Sequence, residues 1–196
     1  MPYRTFVNEF PNKTSYFQPI LDTLEVVPSK LDYTTGGIIV EGKYDYYAIM
    51  LACRVLSAGQ PVVFPATGAG TMGALVSLHR GWGLPVRVLF DSDKGGGDGK
   101  KRLTREFNIS AVEVFGISDF FDAKKMEDLF SERDKSKLGW TENAGSKSVM
   151  LRRIQEIVAS GEPWKFDVST RSKMKKLIAG LESQCPQAFG KCKRDH

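Results

Sequence analysis

Short apolar blocks alternate along the chain with longer stretches in which apolar positions recur every three to four residues. Ile38-Ile39-Val40, Gln60 to Pro65, Val86 to Phe90 and Ala111 to Phe115 are the blocks, bounded by glycine, proline or acidic residues. Blocks of this length predict buried strands. The periodic stretches predict helices. One is capped by Asp45 and runs to about Leu56, and one opens at Thr67-Gly68-Ala69-Gly70-Thr71 and runs through His79. A third, basic, covers Gly99 to Phe107 with Asp98 as its cap. Strands separated by helices predict an α/β fold, with a mostly parallel sheet of about four strands flanked by helices. In such sheets ligands gather beyond the C-terminal ends of the strands.

Both ends add helical material to this core. Residues 1–35 mix aromatic and polar side chains, with a helix start near Pro19, and are expected to form an N-terminal adaptor. After the fourth strand, Asp122 to Phe130 predicts a short helix, and Ser131 to Glu142 is polar and charged. Ser146 is the expected cap of an amphipathic helix over Lys147 to Ala159, and Ser169 or Thr170 that of another reaching Leu181. The expected division is therefore 1–35, a catalytic domain over 36–160, and a C-terminal helix and tail over 161–196, packed on that domain or trailing from it.

Composition narrows the class only a little. At 196 residues, 41% hydrophobic and 26% charged, the chain has the make-up of one globular core with additions. It has no apolar run of 18 residues and no signal-like start, so no membrane is expected and the cytoplasm is the expected compartment. Cys53, Cys185 and Cys192 lack paired spacing and predict neither a disulfide framework nor a zinc site, Cys53 falling on an apolar helical face. The net charge of +5 has much of its excess after residue 146, which fits a nucleic-acid partner without requiring one.

The chemistry concentrates where strands end. Val-Leu-Phe-Asp91-Ser-Asp93-Lys-Gly-Gly-Gly follows the third strand, and alternation sends Asp91 and Asp93 to the same side. Ile-Ile-Val-Glu41-Gly-Lys-Tyr-Asp45 follows the first, so that Glu41 and Asp45 face each other across the turn. Four carboxylates gathered there raise one another's pKa values unless a cation binds, and hard oxygen ligands suit Mg²⁺ or Mn²⁺. Taken singly, each acid is equally explained as a cap or a solvated strand end. The rival reading is Gly68-Ala-Gly70-Thr-Met-Gly73, which matches G-x-G-x-x-G after a strand, with Asp91 eighteen residues beyond Gly73. It would make the chain a dinucleotide-binding enzyme, but it gives no role to Glu41 and Asp45. It also belongs to the second strand, where the glycines are explained by the turn alone.

The strand ends Ile-Ile-Val-Glu41-Gly-Lys-Tyr-Asp45 and Val-Leu-Phe-Asp91-Ser-Asp93, with Thr-Gly-Ala-Gly between them, resemble the TOPRIM domain of topoisomerases, primases and some nucleases. The wording is most similar to the nuclease end of the overcoming-lysogenization-defect family. The resemblance spans about residues 36 to 160 and implies a Rossmann-like TOPRIM fold with a divalent-metal-dependent nuclease site. It implies metal binding by Glu41, Asp45, Asp91, Asp93 and a further acid, Glu127, with Glu41 as ligand or general base and Lys147 neutralising charge on phosphate. It also implies DNA as substrate, RNA remaining open, and an ATPase partner or domain that this chain lacks, with a role in phage defence and a homo-oligomer also left open. An accessory TOPRIM module without catalysis is the alternative. Gly68 and Gly70 are the expected substrate loop. Lys43, Lys94, Lys100, Lys101 and Arg102, with Lys173 and Lys176, are the candidate phosphate contacts, although a solvated helix face explains each basic cluster equally well.

Overall fold

A computed structural model describes residues 36–81, 84–107, 113–141 and 145–189. The chain divides into two units, Met1–Thr34 and Thr35–His196. The expected adaptor, along with Cys192, lies outside the described residues. Strands β1 (Gly37–Val40), β2 (Val63–Pro65), β3 (Val86–Phe90) and β4 (Val114–Gly116) form one sheet in the order β2-β1-β3-β4, every pairing parallel. Val40 lies beside Pro65 on one side and Leu89 on the other, so β1 and β3 end together. The fold is α/β and Rossmann-like, as the strand blocks predict.

The helices are α1 (Lys43–Leu56), α2 (Met72–Gly81), α3 (Lys94–Phe107), α4 (Glu132–Lys137), α5 (Ser146–Ser160) and α6 (Val168–Gln184). Ile38, Val40, Val63 and Leu89 join one continuous core with Ile49, Leu51 and Ala52 of α1, Met150, Ile154 and Ile157 of α5, and Met174, Leu177 and Leu181 of α6. The alternate residues Ile39, Phe64, Val88 and Phe90 are buried on the opposite face. There Phe64 meets His79 of α2 edge to face at 4.4 Å, and Phe90 lies where a side chain at Gly99 of α3 would go. A sheet covered on both faces needs runs of apolar residues rather than alternation, which is why the short blocks read clearly.

Arg54, in the last turn of α1, donates to the carbonyls of Ile157 (2.6 Å) and Glu162 (2.9 Å), which close the C-terminal end of α5. Gly161, at φ 79°, makes the left-handed turn that ends that helix. The chain then returns through α6 to a 3-10 turn, Pro186–Phe189, whose Ala188 carbonyl accepts from the Val62 N–H at 2.8 Å. Residues 161–189 are thus part of the main core, and of the two C-terminal arrangements expected the packed one is found.

Several boundaries differ from those expected. α3 begins at Lys94, so Asp98 is an exposed residue within the helix and not its cap. Asp93 takes the capping role, its Oδ1 accepting from the Gly96 N–H at 3.0 Å. The glycine run lies within the helix, and Gly96 is required there because a side chain would collide with the Asp91 carbonyl. Residues 122–130 form only a 3-10 turn, Met126–Leu129, while α4 occupies the polar stretch that carried no helix prediction. α5 starts at Ser146 after Gly145, and α6 is capped by Asp167, with Thr170 buried inside it. Among the described residues no helix is long and apolar enough to cross a membrane.

Candidate metal centre

β1 ends at Val40, and Glu41-Gly42 turns the chain into α1. The Gly42 N–H donates to Asp45 Oδ2 at 3.0 Å, so Asp45 reaches back from the first turn instead of standing before the helix as its cap. This placement satisfies one orphan donor of the helix end and puts a negative charge where the helix dipole favours it. It also fixes the carboxylate in place. Asp45 is only 6% exposed, and its Oδ1 has no hydrogen-bond partner; Glu41 Oε2 is likewise buried and unpartnered.

Asp91 is the first residue past β3, and the strand order sets it beside Glu41 at the crevice where the connections diverge from β1 to β2 and from β3 to β4. Its Oδ1 accepts from the Met126 N–H at 3.2 Å. That bond brings in Glu127, the neighbour of Met126 on the 3-10 turn, which is 6% exposed with Oε2 unpartnered. Lys147, in the first turn of α5, reaches Glu127 Oε1 at 2.7 Å and lies 5.0 Å from the centroid of the Tyr44 ring. Segments far apart in the sequence therefore converge on one place.

Asp93 does not join them. The alternation expected from the strand ends with Phe90, and the turn carries Asp93 away to cap α3 and to pair with Lys125 at 3.4 Å. The Gly96 N–H and then Lys125 hold its pKa below the usual carboxylate value. Asp45 and Asp91 behave oppositely. Burial, and then the charge of Asp91, pushes Asp45 up to about 7. Burial, followed by Glu127, pushes Asp91 up to about 6. Burial works against the Lys147 ammonium, but its hydrogen bond and charge contact with Glu127, with Asp45 and Asp91 behind, raise its pKa above the ordinary lysine value.

An open pocket of about 420 Å³ lies over this group, walled by Glu41 to Asp45, Ala66 to Gly68, Asp91, Lys147, Ser148 and Leu151. The glycine loop is tied to β1 by the Ala66 N–H to the Val40 carbonyl and the Gly68 N–H to the Glu41 carbonyl, both 2.9 Å. Gly68, at φ 112°, makes the turn and lines the pocket. Gly70 lies outside the pocket wall, exposed, with the Arg102 guanidinium 3.8 Å from where its side chain would be. Gly73 is a contact glycine, for a side chain there would collide with the Phe107 ring. The third glycine of the dinucleotide pattern thus has a packing explanation, and the loop follows edge strand β2 instead of lying between β1 and β3.

Of the basic candidates, Lys43 stands on the pocket wall and is exposed. The others do not line the pocket, and several have partners within the chain. Lys100 pairs with Asp119 at 3.6 Å, Arg102 with Glu106 at 2.8 Å, and Lys173 donates to the Asp128 carbonyl at 2.9 Å. Lys176 lies 5.4 Å from the Phe121 ring centroid, while Lys94 and Lys101 are exposed on α3. His79, buried with Nδ1 2.7 Å from the Leu75 carbonyl, is a packed residue.

The sequence reading did not single out Tyr44, whose ring backs Lys147 and whose hydroxyl donates to Met150 Sδ at 3.3 Å. Thr67 and Ser148 of the pocket wall were missed as well. Only the adjacency of Tyr44 to Asp45 could have pointed to it.

The donor set is all carboxylate oxygen, some of it buried and unpartnered, which fits a hard divalent ion such as Mg²⁺ or Mn²⁺. No three His, Cys, Asp or Glu side chains among the described residues stand gathered as ligands. Three of the four acids are turned toward donors within the chain instead: Asp45 to Gly42, Asp91 to Met126, Glu127 to Lys147. Comparisons with models of protein families, with curated proteins and with solved structures return no match.

Proposed function

We propose that the chain is a divalent-metal-dependent nuclease of the TOPRIM type, resembling the overcoming-lysogenization-defect family, that hydrolyses DNA phosphodiester bonds. The observation that carries this reading is the convergence of Glu41, Asp45 and Asp91 from two adjacent strand ends on one open pocket, with Asp45 Oδ1 and Glu41 Oε2 lacking partners. Glu41, Asp45, Asp91 and Glu127 would hold Mg²⁺ or Mn²⁺. A bound ion of this kind polarises phosphoryl oxygen and lowers the pKa of bound water. Asp45, fixed through the Gly42 N–H, would orient the acidic face, and Glu41 would act either as a ligand or, in its place, as the general base that takes a proton from attacking water. Lys147 and Lys43 offer positive charge to phosphate oxygens on the pocket wall.

Purified protein incubated with supercoiled plasmid and Mn²⁺ is expected to nick or linearise it, and Asp91→Ala to reduce cleavage by about a hundredfold or more. Undiminished cleavage by the variant overturns the assignment. The departure of Asp93 from the site favours a second reading, an accessory TOPRIM module that binds nucleic acid or a separate ATPase without cleaving alone. That reading predicts no cleavage by the isolated chain, together with tight binding to the partner ATPase.

A further inference from the structure

Lys147 occupies a place that helix energetics do not explain. It is the second residue of α5, where a positive side chain is disfavoured by the helix dipole. Its ammonium lies 2.7 Å from Glu127 Oε1 and 5.0 Å from the Tyr44 ring centroid. The two partners are embedded very differently. The Glu127 side chain is 8% exposed, whereas that of Lys147 is 47% exposed and reaches in from solvent. Lys147 can leave by rotating its stem into the pocket it lines; Glu127 cannot follow without unpacking the 3-10 turn.

The charge balance gives a reason to leave. Lys147 satisfies one oxygen of Glu127, while Glu127 Oε2, Asp45 Oδ1 and Glu41 Oε2 remain buried without partners. Lys125 is engaged with Asp93, and Lys43 stands exposed on the pocket wall. Lys147 is the ammonium paired with this group of acids, bonded to Glu127 with Asp45 and Asp91 behind. A divalent ion contacting several of these oxygens competes well against a single charge held by one bond. Lysine also suits exchange better than arginine would, because its point charge on a flexible stem lacks the planar fork that grips a carboxylate by two bonds.

We propose that Lys147 is an exchangeable resident cation of the site. Its ammonium holds Glu127 until a divalent ion arrives; the ion then displaces it from Glu127, and the freed ammonium swings toward the pocket, where it can meet an anionic oxygen of the substrate. This rests on the metal-binding reading above. It adds an order to the site: lysine and ion share Glu127 in turn, and the lysine becomes available to phosphate only once the ion is in place.

The test uses the wild-type chain without nucleic acid. Mg²⁺ is titrated while acetylation of individual lysines by an amine-reactive ester is followed by peptide mass spectrometry, with Mn²⁺ affinity measured in parallel by calorimetry. The acetylation rate of Lys147 is expected to rise severalfold as Mg²⁺ saturates, with no rise in Asp91→Asn. Lys147→Met is expected to bind Mn²⁺ about tenfold more tightly than wild type, the usual size of a coupling between competing ligands. Lys147→Arg is expected to bind it more weakly. Because the labelling uses wild-type protein, it decides the matter even if Lys147→Met folds poorly. Mn²⁺ binding to wild type with unchanged Lys147 reactivity overturns the exchange and leaves the metal site standing. Failure of wild type to bind Mn²⁺ at all overturns the metal site and the exchange together.

Discussion

Asp134 and Asp45 are both withdrawn from solvent, at 0% and 6% exposure, in surroundings that differ in kind. Asp134 lies at the junction of α4 with the start of α6. Its Oδ2 accepts from the Asp167 N–H at 2.9 Å, its own N–H donates to Ser131 Oγ at 3.2 Å, and the Ser131 N–H donates to Thr170 Oγ1 at 2.8 Å. Like Asp45, Asp134 has one oxygen held by a backbone N–H and the other, Oδ1, buried without a partner; what differs is that its bond ties α4 to the start of α6, a fastening. The Asp45 bond, from Gly42, stays within one turn, and burial and then Asp91 oppose its ionisation, with Lys147 acting against them. Burial of an acid therefore says little about function. Convergence of several acids says more, because like charges gathered together disfavour one another's ionisation and a cation would relieve them.

The sharpest way to break this contrast is Asp134→Ala. Losing the acceptor for the Asp167 N–H and the link between α4 and α6 should cost about 3 kcal/mol in urea unfolding, with Mn²⁺ affinity unchanged in the folded protein. A parallel loss of Mn²⁺ affinity would erase the distinction between fastening and site. Next comes pH. Asp45 has its folded pKa raised to about 7, so its contribution to stability is complete below its unfolded value and is lost as pH rises through about 7. Asp91, raised to about 6, adds a loss of the same sign slightly lower. Metal-free protein should therefore be less stable at pH 8 than at pH 5 by about 2 kcal/mol, and Mn²⁺ should remove most of the difference. A stability that rises over this window would contradict the crowding of acids.

A smaller effect of opposite sign is expected from Asp45→Asn. The amide oxygen can still accept from Gly42, so removing the charge should stabilise the metal-free protein at pH 8 by about 1 kcal/mol while weakening Mn²⁺ binding. Destabilisation at that pH would mean that the charge contributes more through its bonds than the neighbouring acids cost it. The smallest is Thr170→Val, which orphans the Ser131 N–H and should cost about 1 kcal/mol at both pH 5 and pH 8. A cost that differs between the two pH values would tie the junction to the titrating pocket.

The sheet was legible in the sequence because its strands are buried on both faces and so appear as unbroken apolar blocks; Val86–Phe90 was read with its observed limits. α4 was missed because a six-residue helix with only two buried anchors in its vicinity, Asp134 and Leu138, leaves no apolar stripe to detect. Within the site, Glu41, Asp45 and Asp91 could be brought together from strand order alone. Asp93 could not be placed correctly, since alternation applies only while the chain is extended and Ser92 already turns it into α3. Glu127 and Lys147 were each named from resemblance and their pairing was not read, because nothing local in Lys-Met-Glu-Asp-Leu points across the fold. Lys173 and Arg102 read as solvated or phosphate-binding charges, and their actual partners, the Asp128 carbonyl and Glu106, lie on a distant turn and on the next helical turn respectively.

The Arg54 fastening has a consequence for how quickly the site can respond. α1 and α5 run side by side, bolted at their far ends by Arg54 to the carbonyls of Ile157 and Glu162 and joined nearer the pocket by the Tyr44 hydroxyl to Met150. Two rods pinned at two points cannot slide past each other to open the pocket. Whatever moves when a cation enters is left to single side chains, so the response runs on the picosecond-to-nanosecond clock of rotamers, several orders of magnitude faster than helix shifts. Loosening the bolt with Arg54→Met would hand that motion back to the backbone and slow the clock, a change that relaxation-dispersion measurements on α5 amides would register as new exchange on the microsecond-to-millisecond scale.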